Sequence, residues 1–199
     1  GAKDPDMHSA GIVRQAGMKD GKPLNTALAA IIHVPNGCRW EDSQVAEKLV
    51  MLADYYGGTM IVPETGNGLG VLAELRRCGA RIYQREKFDH INPGKTLSVP
   101  GWETNGATRD LVVNAIADAI REQTVDIAYQ PAVAQLRTFV ENDRGKAEAR
   151  SGAHDDHCMG IGIALACIRF SSVYRAVNSP QSNDYGRDSY RTSQGTDSQ

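Results

Sequence analysis

The sequence predicts an α/β domain, a mixed β-sheet flanked by helices, and three observations carry the prediction. Two strand-like runs at residues 8–15 and 24–34, the second nearly all apolar, flank a glycine- and proline-containing turn at 17–23. A compact apolar run at 59–63 leads into Glu64, a glycine-rich turn and a helical pattern at 69–77. A long stripe of Leu111, Val112, Ala115, Ile116, Ala119 and Ile120 stands opposite Asp110, Asn114, Asp118 and Arg121, the division of an amphipathic helix lying on a core. Alternating strands and helices of this kind pack as a sheet covered by helices.

In chain order, the runs at 8–15 and 24–34 form a hairpin that ends at Pro35-Asn36-Gly37. From Ser43 the positions Val45, Ala46, Leu49, Val50, Leu52, Ala53 and Tyr56 recur at helical spacing. Glu41, Asp42 and Ser43 suit the helix start and Gly57-Gly58 its end. After the unit at 59–77, residues 81–85 read as a strand, and 87–102 as a loop or short hairpin punctuated by Pro93-Gly94 and Pro100-Gly101. Beyond the long helix, 127–129 is a short strand, 131–141 a short helix with Pro131 in its first turn, and 146–150 an extended approach to the next acids. From Ser171 the composition turns to Ser, Asn, Gln, Gly, Asp and Arg, too polar to offset its ordering entropy, which predicts a flexible tail over 171–199.

With 199 residues and 21.5 kDa, the chain has room for one core and extensions. A net charge of −2 argues against general electrostatic adhesion to nucleic acid but allows a local basic patch. The cysteines Cys38, Cys78, Cys158 and Cys167 show neither a CxxC pair nor zinc-like spacing with histidines, and several sit in apolar contexts where a reduced thiol packs as a small hydrophobe, so no disulfide scaffold is expected. No basic-plus-apolar leader opens the sequence, and the longest apolar run, 159–168, contains two glycines and is too short to span a bilayer. A soluble, intracellular protein without a membrane partner is the expectation.

Two nucleotide-binding motifs are imitated and neither survives inspection. Gly66-Asn67-Gly68-Leu69-Gly70 has Val71 where a dinucleotide fingerprint needs glycine, and Pro93-Gly94-Lys95-Thr96 has Asp89 where a phosphate loop needs one. The acids are more informative. His154-Asp155-Asp156-His157 opens the long apolar run, and adjacent carboxylates at the start of a buried helix are costly unless a cation sits against them. Glu64 follows a buried strand, where open α/β sheets place their sites. Each acid also has a plain structural alternative as a helix cap, and the acids of Lys3-Asp4-Pro5-Asp6 could equally belong to a surface turn.

Four blocks, taken together and in order, are more specific. They are Ile61-Val62-Pro63-Glu64 with its Gly-Asn-Gly turn; Gly101-Trp102-Glu103-Thr104 leading into Thr108-Arg109-Asp110-Leu111-Val112; Leu136-Arg137-Thr138-Phe139-Val140; and Gly145-Lys146-Ala147-Glu148-Ala149 through Gly152-Ala153-His154-Asp155-Asp156. Over residues 6–168 the chain resembles the nuclease domain of tailed-phage terminase large subunits. The resemblance implies an RNase H-like domain over 1–170 and a metal-dependent endonuclease that cuts concatemeric double-stranded DNA during genome packaging in the host cytoplasm. Glu64 and Asp155 match two of the family's metal-binding acids, Asp156 an adjacent helper, and Asp6 an auxiliary acid. Hard carboxylate oxygens suit two Mg²⁺ or Mn²⁺ ions, about 4 Å apart in sites of this kind. Arg76, Arg77, Arg81 and Arg85 are candidates for phosphate contacts, or else a solvated basic face. An upstream ATPase domain, a portal and a small terminase subunit are the implied partners.

The sequence departs from the family in two places. The family's first strand, which ends in its leading catalytic Asp, has no counterpart before His8, so residue 1 is expected to lie within a longer protein, or Asp4 or Asp6 to substitute poorly. Gln135 stands where relatives tend to have Glu, a difference read as structural. Two rival functions follow: a docking module that keeps the fold without catalysis, and another RNase H-like nuclease of the resolvase type.

Overall fold

The structure, a computed structural model, describes residues 8–19, 22–32, 40–66, 68–88, 94–141, 145 and 147–178. Strands β1 (His8–Lys19) and β2 (Lys22–Ile32) precede helices α1 (Asp42–Tyr55) and α2 (Leu69–Arg77). Strands β3 (Gln84–Phe88) and β4 (Thr96–Pro100), helix α3 (Gly106–Arg121), strand β5 (Val125–Ile127) and helix α4 (Gln130–Leu136) follow. Strands β6 (Phe139–Glu141) and β7 (Ala147–Ala149) then lead to α5 (Asp156–Asn178).

β1 and β2 pair antiparallel from His8↔Ile32 to Lys19↔Lys22, and β5 joins β2 in parallel. The ladder runs further towards the turn than the sequence pattern suggests. A bulge between Gln15 and Gly17 lets Gly17, Met18 and Lys19 continue to pair rather than start the turn. The residues at 59–64 are extended but make single bridges, Ile61 to Ile82 and Glu64 to Trp102, both parallel. Their partner changes because the β3–β4 hairpin leaves the edge after Tyr83 and returns at Gly101, whose N–H donates to the Tyr83 carbonyl at 2.8 Å. Gly101 has φ +76°, and a β-carbon there would lie 2.6 Å from the Pro63 carbonyl oxygen, so this return requires glycine.

Helices cover both faces of the sheet. Ala10 and Gly11 are neighbours on β1 and therefore point to opposite sides. Ala10 joins a core with Val45 and Ala46 of α1 and Val71 and Leu75 of α2, whereas Gly11 lies against the Gly160 backbone of α5. The α5 side holds the larger core, built around Val112 and Ile116 of α3, Ala132 of α4 and Ile161 and Leu165 of α5. The two glycines that interrupt the apolar run at 159–168 have a packing reason. A β-carbon at Gly11 would run into Gly160, and one at Gly162 would lie 2.5 Å from Val112 Cγ1.

Several boundaries differ from expectation. α3 begins five residues before Leu111, because the Asn105 side chain accepts from the N–H groups of Ala107 and Thr108 at 3.1 and 3.0 Å while Thr108 Oγ1 accepts from Asn105 N–H at 2.7 Å. The helix expected over 131–141 stops at Leu136. Thr138, Phe139 and Val140 are β-branched or aromatic, and β6 pairs with β7 instead. The segment expected as a tail from Ser171 begins with eight more helical residues of α5, and residues 179–199 lie outside the described residues.

Candidate active site

The first acid, Glu64, is held by backbone. Trp102 N–H donates to the Pro63 carbonyl at 2.8 Å, and Thr65 N–H donates to the Trp102 carbonyl at 2.7 Å. Pro63 is buried and Trp102 only 5% exposed, whereas the Glu64 side chain at the end of this run is exposed. Glu64 does not cap α2. The N-cap is Gly68, and no side chain bonds there.

The second group of acids sits where α5 starts. Asp155 is its N-cap by position, since its carbonyl accepts from Met159 N–H at 2.8 Å. Its carboxylate does not bind its own helix. Arg109 Nη2 of α3 donates to Asp155 Oδ2 at 2.5 Å, and Arg109 Nη1 donates to Met159 Sδ at 3.5 Å. The cap comes from α4, where Gln135 Oε1 accepts from His157 N–H at 2.9 Å and Cys158 N–H at 3.4 Å. Asp156, the first residue of α5, has His154 Nδ1 3.6 Å from its Oδ2. The acids are thus placed by three different contacts, two of which the local sequence does not display.

Buried neighbours fix the electrostatics. His157 is 3% exposed with Nδ1 2.7 Å from Ser9 Oγ, and burial pushes its pKa down against the opposing charge of Asp156. The Cys158 thiol is pushed up to about 12 by burial first, with the charges of Asp155 and Asp156 adding to it. It is therefore protonated at neutral pH and unsuited to act as a nucleophile. Cys167 behaves likewise, pushed up to about 12 by burial, and so does the Tyr83 hydroxyl beside it, pushed up to about 12 mainly by burial.

The four arginines divide into two pairs. Arg76 and Arg85 line a groove of about 420 Å³ between α2 and the β3–β4 hairpin, together with Thr65, Gly66, Lys87 and Glu103. Arg85 Nη2 lies 2.5 Å from Glu103 Oε2, and the hydrogen bond and charge of Arg85, with the charge of Lys87, hold the Glu103 carboxyl below its usual range. Arg77 and Arg81 stand outside that groove lining. Arg77 pairs with Glu74 of its own helix at 2.8 Å, and Arg81 is an exposed residue whose carbonyl accepts from Ile61 N–H. Asp6 lies outside the described residues. The sequence pattern does not single out Lys87, Arg109 or Gln135 as site residues; Gln135 stands out in it only as a departure within its block.

Carboxylate oxygens suit a hard divalent cation, but the described residues do not form a complete metal site. Among them no group of three His, Cys, Asp or Glu side chains is close enough to hold one ion, and Asp155 faces a guanidinium. Among the described residues no helix is long and apolar enough to cross a membrane.

No protein-family model matches the chain, and no curated protein matches it. A solved structure does: the crystal structure of the large terminase nuclease from thermophilic phage G20c with bound magnesium. It is 18% identical, with a TM-score of 0.53, over 81% of this chain and 82% of that one. This chain has a fold similar to that phage terminase nuclease.

Proposed function

We propose that this chain is the nuclease domain of a DNA-packaging terminase large subunit, acting on concatemeric double-stranded DNA as a metal-dependent endonuclease. The observation that carries the proposal is the fold likeness to the large terminase nuclease, extending over four-fifths of both chains. The order of the acids supports it: Glu64 ends an extended run beside the sheet, and Asp155 and Asp156 open the helix that crosses β1. Magnesium in that neighbour supports a divalent ion, Mg²⁺ or Mn²⁺, and a two-metal-ion reaction is the form proposed. Bound ions would supply an activated water and charge stabilisation at the leaving oxygen. For this chain's part, Glu64 and Asp155 present carboxylates, Asp156 adds negative charge beside Asp155, and Asp6 is assigned the auxiliary place.

We further propose that the sheet is RNase H-like and that one strand of it is absent from the described residues. β1 pairs only with β2 among those residues, and the 59–64 run pairs only towards 81–83 and 102. Between them lies a cavity of about 480 Å³ lined by Ile12, Val13, Arg14, Tyr55, Tyr56 and Thr59. A strand there would cover both open edges and could bring the further acid that the donor set needs. An ATPase domain, portal and small terminase subunit are the proposed partners, and the host cytoplasm the proposed location.

Plasmid nicking in Mn²⁺ tests this function. Glu64→Ala and Asp155→Ala are each expected to lower nicking at least a hundredfold, and undiminished cutting by both would remove the proposed site. The short donor set favours a second reading, a docking module that keeps the fold without catalysis. Calorimetric titration separates the two: Mg²⁺ or Mn²⁺ binding that disappears in the Glu64 and Asp155 variants favours the nuclease, and no binding favours the docking module.

A further inference from the structure

We propose that Gln135 is a positioning residue that caps α5 in place of Asp155 and thereby lets the Asp155 carboxylate turn away from its own helix towards the site. This rests on the reading of Asp155 as an acid of that site.

An Asp at a helix N-cap ordinarily turns its carboxylate onto the N–H groups of the second and third helical residues, which here are His157 and Cys158. Those two residues are 3% and 1% exposed, so water is a poor substitute and their N–H groups need a protein acceptor. Gln135 Oε1 provides one, at 2.9 and 3.4 Å.

α4 is well placed to deliver it. Its Ala132 is fully buried, the Ala132 carbonyl accepts from Cys158 Sγ at 3.6 Å, and Tyr129 at its N-cap meets the His157 ring edge-on at 5.3 Å between centroids. With the cap supplied from outside, the Asp155 carboxylate reaches across to Arg109 on α3, and its side chain keeps 26% exposure. Without the Gln135 amide, Asp155 is the acceptor that its backbone position holds nearest to the orphaned N–H groups. It would turn back onto its own helix and leave the site.

The two consequences are measured separately. Amide hydrogen exchange at His157 and Cys158, referenced to Ile163 in the same helix, reports who accepts their bonds. Gln135→Ala is expected to leave their protection within about threefold of wild type, because Asp155 takes over, whereas Gln135→Ala with Asp155→Ala is expected to lose at least about tenfold, the size of a lost cap. Equal loss in the single and double variants would overturn the proposal.

Mn²⁺-dependent nicking then reports the effect on the site. It is expected to fall at least tenfold in Gln135→Ala and to return in Gln135→Glu, whose carboxylate accepts the same bonds and is favoured at a helix N-terminus. Failure of Glu to restore it would overturn the positioning role. If exchange shows the swap while nicking in Gln135→Ala and Asp155→Ala stays at the wild-type level, the cap exchange stands and the assignment of Asp155 to the reaction fails.

Discussion

Arg109 Nη2 lies 2.5 Å from Asp155 Oδ2, so an acid assigned to metal binding is neutralised by a resident cation from another helix. Both side chains are about one-third exposed or less, which makes the pair stronger than a fully solvated one. Arg109→Gln should leave the Asp155 carboxylate without its guanidinium partner at the start of α5. We expect lower thermal stability without metal and a larger upward shift of Tm on adding Mn²⁺ than in wild type, by about 2 °C or more. An equal or smaller shift would show that Arg109 does not compete with a cation for Asp155.

His157 sets a pH dependence of stability whose sign follows from burial. Its folded pKa lies below the unfolded value of about 6.5, so below that pH the unfolded chain binds the proton more readily. The contribution is complete above about pH 6.5 and is lost as pH falls through the folded value. Urea midpoints should therefore drop between pH 7.5 and 5.5, and His157→Gln should flatten that slope while lowering stability throughout, since the contact with Ser9 Oγ is changed. A slope equal to wild type in the variant would assign the effect elsewhere.

Local pattern reveals the elements whose periodicity is strong, and misses those decided by contacts between segments. The hairpin, α1, α2 and the core of α3 follow from residue order alone, because each carries its own apolar spacing and turn residues. The end of α4 does not. Pro131, Ala132 and Val133 read as a helix start, and the stop comes from β6 finding β7, which no local signal announces. The position of Glu64 after a buried extended run is legible in Ile61-Val62-Pro63. The roles of Arg109 and Gln135 are not, since they arise from α3 and α4 converging on the start of α5, across 46 and 22 residues of chain.

Two glycine substitutions should differ in cost although both add one methyl group. At Gly162 the new β-carbon meets the side chains of Val112 and Ile116 at 2.5 and 2.7 Å, and Ile116 Cδ1 can shift. Gly162→Ala is expected to cost about 1–3 kcal/mol, the usual range for overpacking. At Gly11 the obstacle is the Gly160 backbone, so β1 and α5 must separate. Gly11→Ala should cost more than Gly162→Ala in urea unfolding, and the reverse order would contradict the close strand–helix approach.

The groove between α2 and the β3–β4 hairpin separates the arginines by their free charge. Arg76 and Lys87 line it, and Arg85 lines it while bound to Glu103 at 2.5 Å. Arg77 already pairs with Glu74 and is absent from the lining. If DNA phosphates pass this groove beside Glu64, Arg76→Ala and Lys87→Ala should each weaken binding similarly for all sequences and reduce the slope of log affinity against log salt by about 1. Arg77→Ala should change neither. Glu103→Gln should do the opposite, because it removes the carboxylate that neutralises Arg85 and leaves one more unpaired positive charge facing the groove. Fluorescence anisotropy with labelled duplex between about 50 and 200 mM salt reads all four variants. Tighter binding in Glu103→Gln together with an unchanged Arg77→Ala would place the phosphate path in this groove. Equal losses in Arg76→Ala and Arg77→Ala would return the arginines to a diffuse basic face.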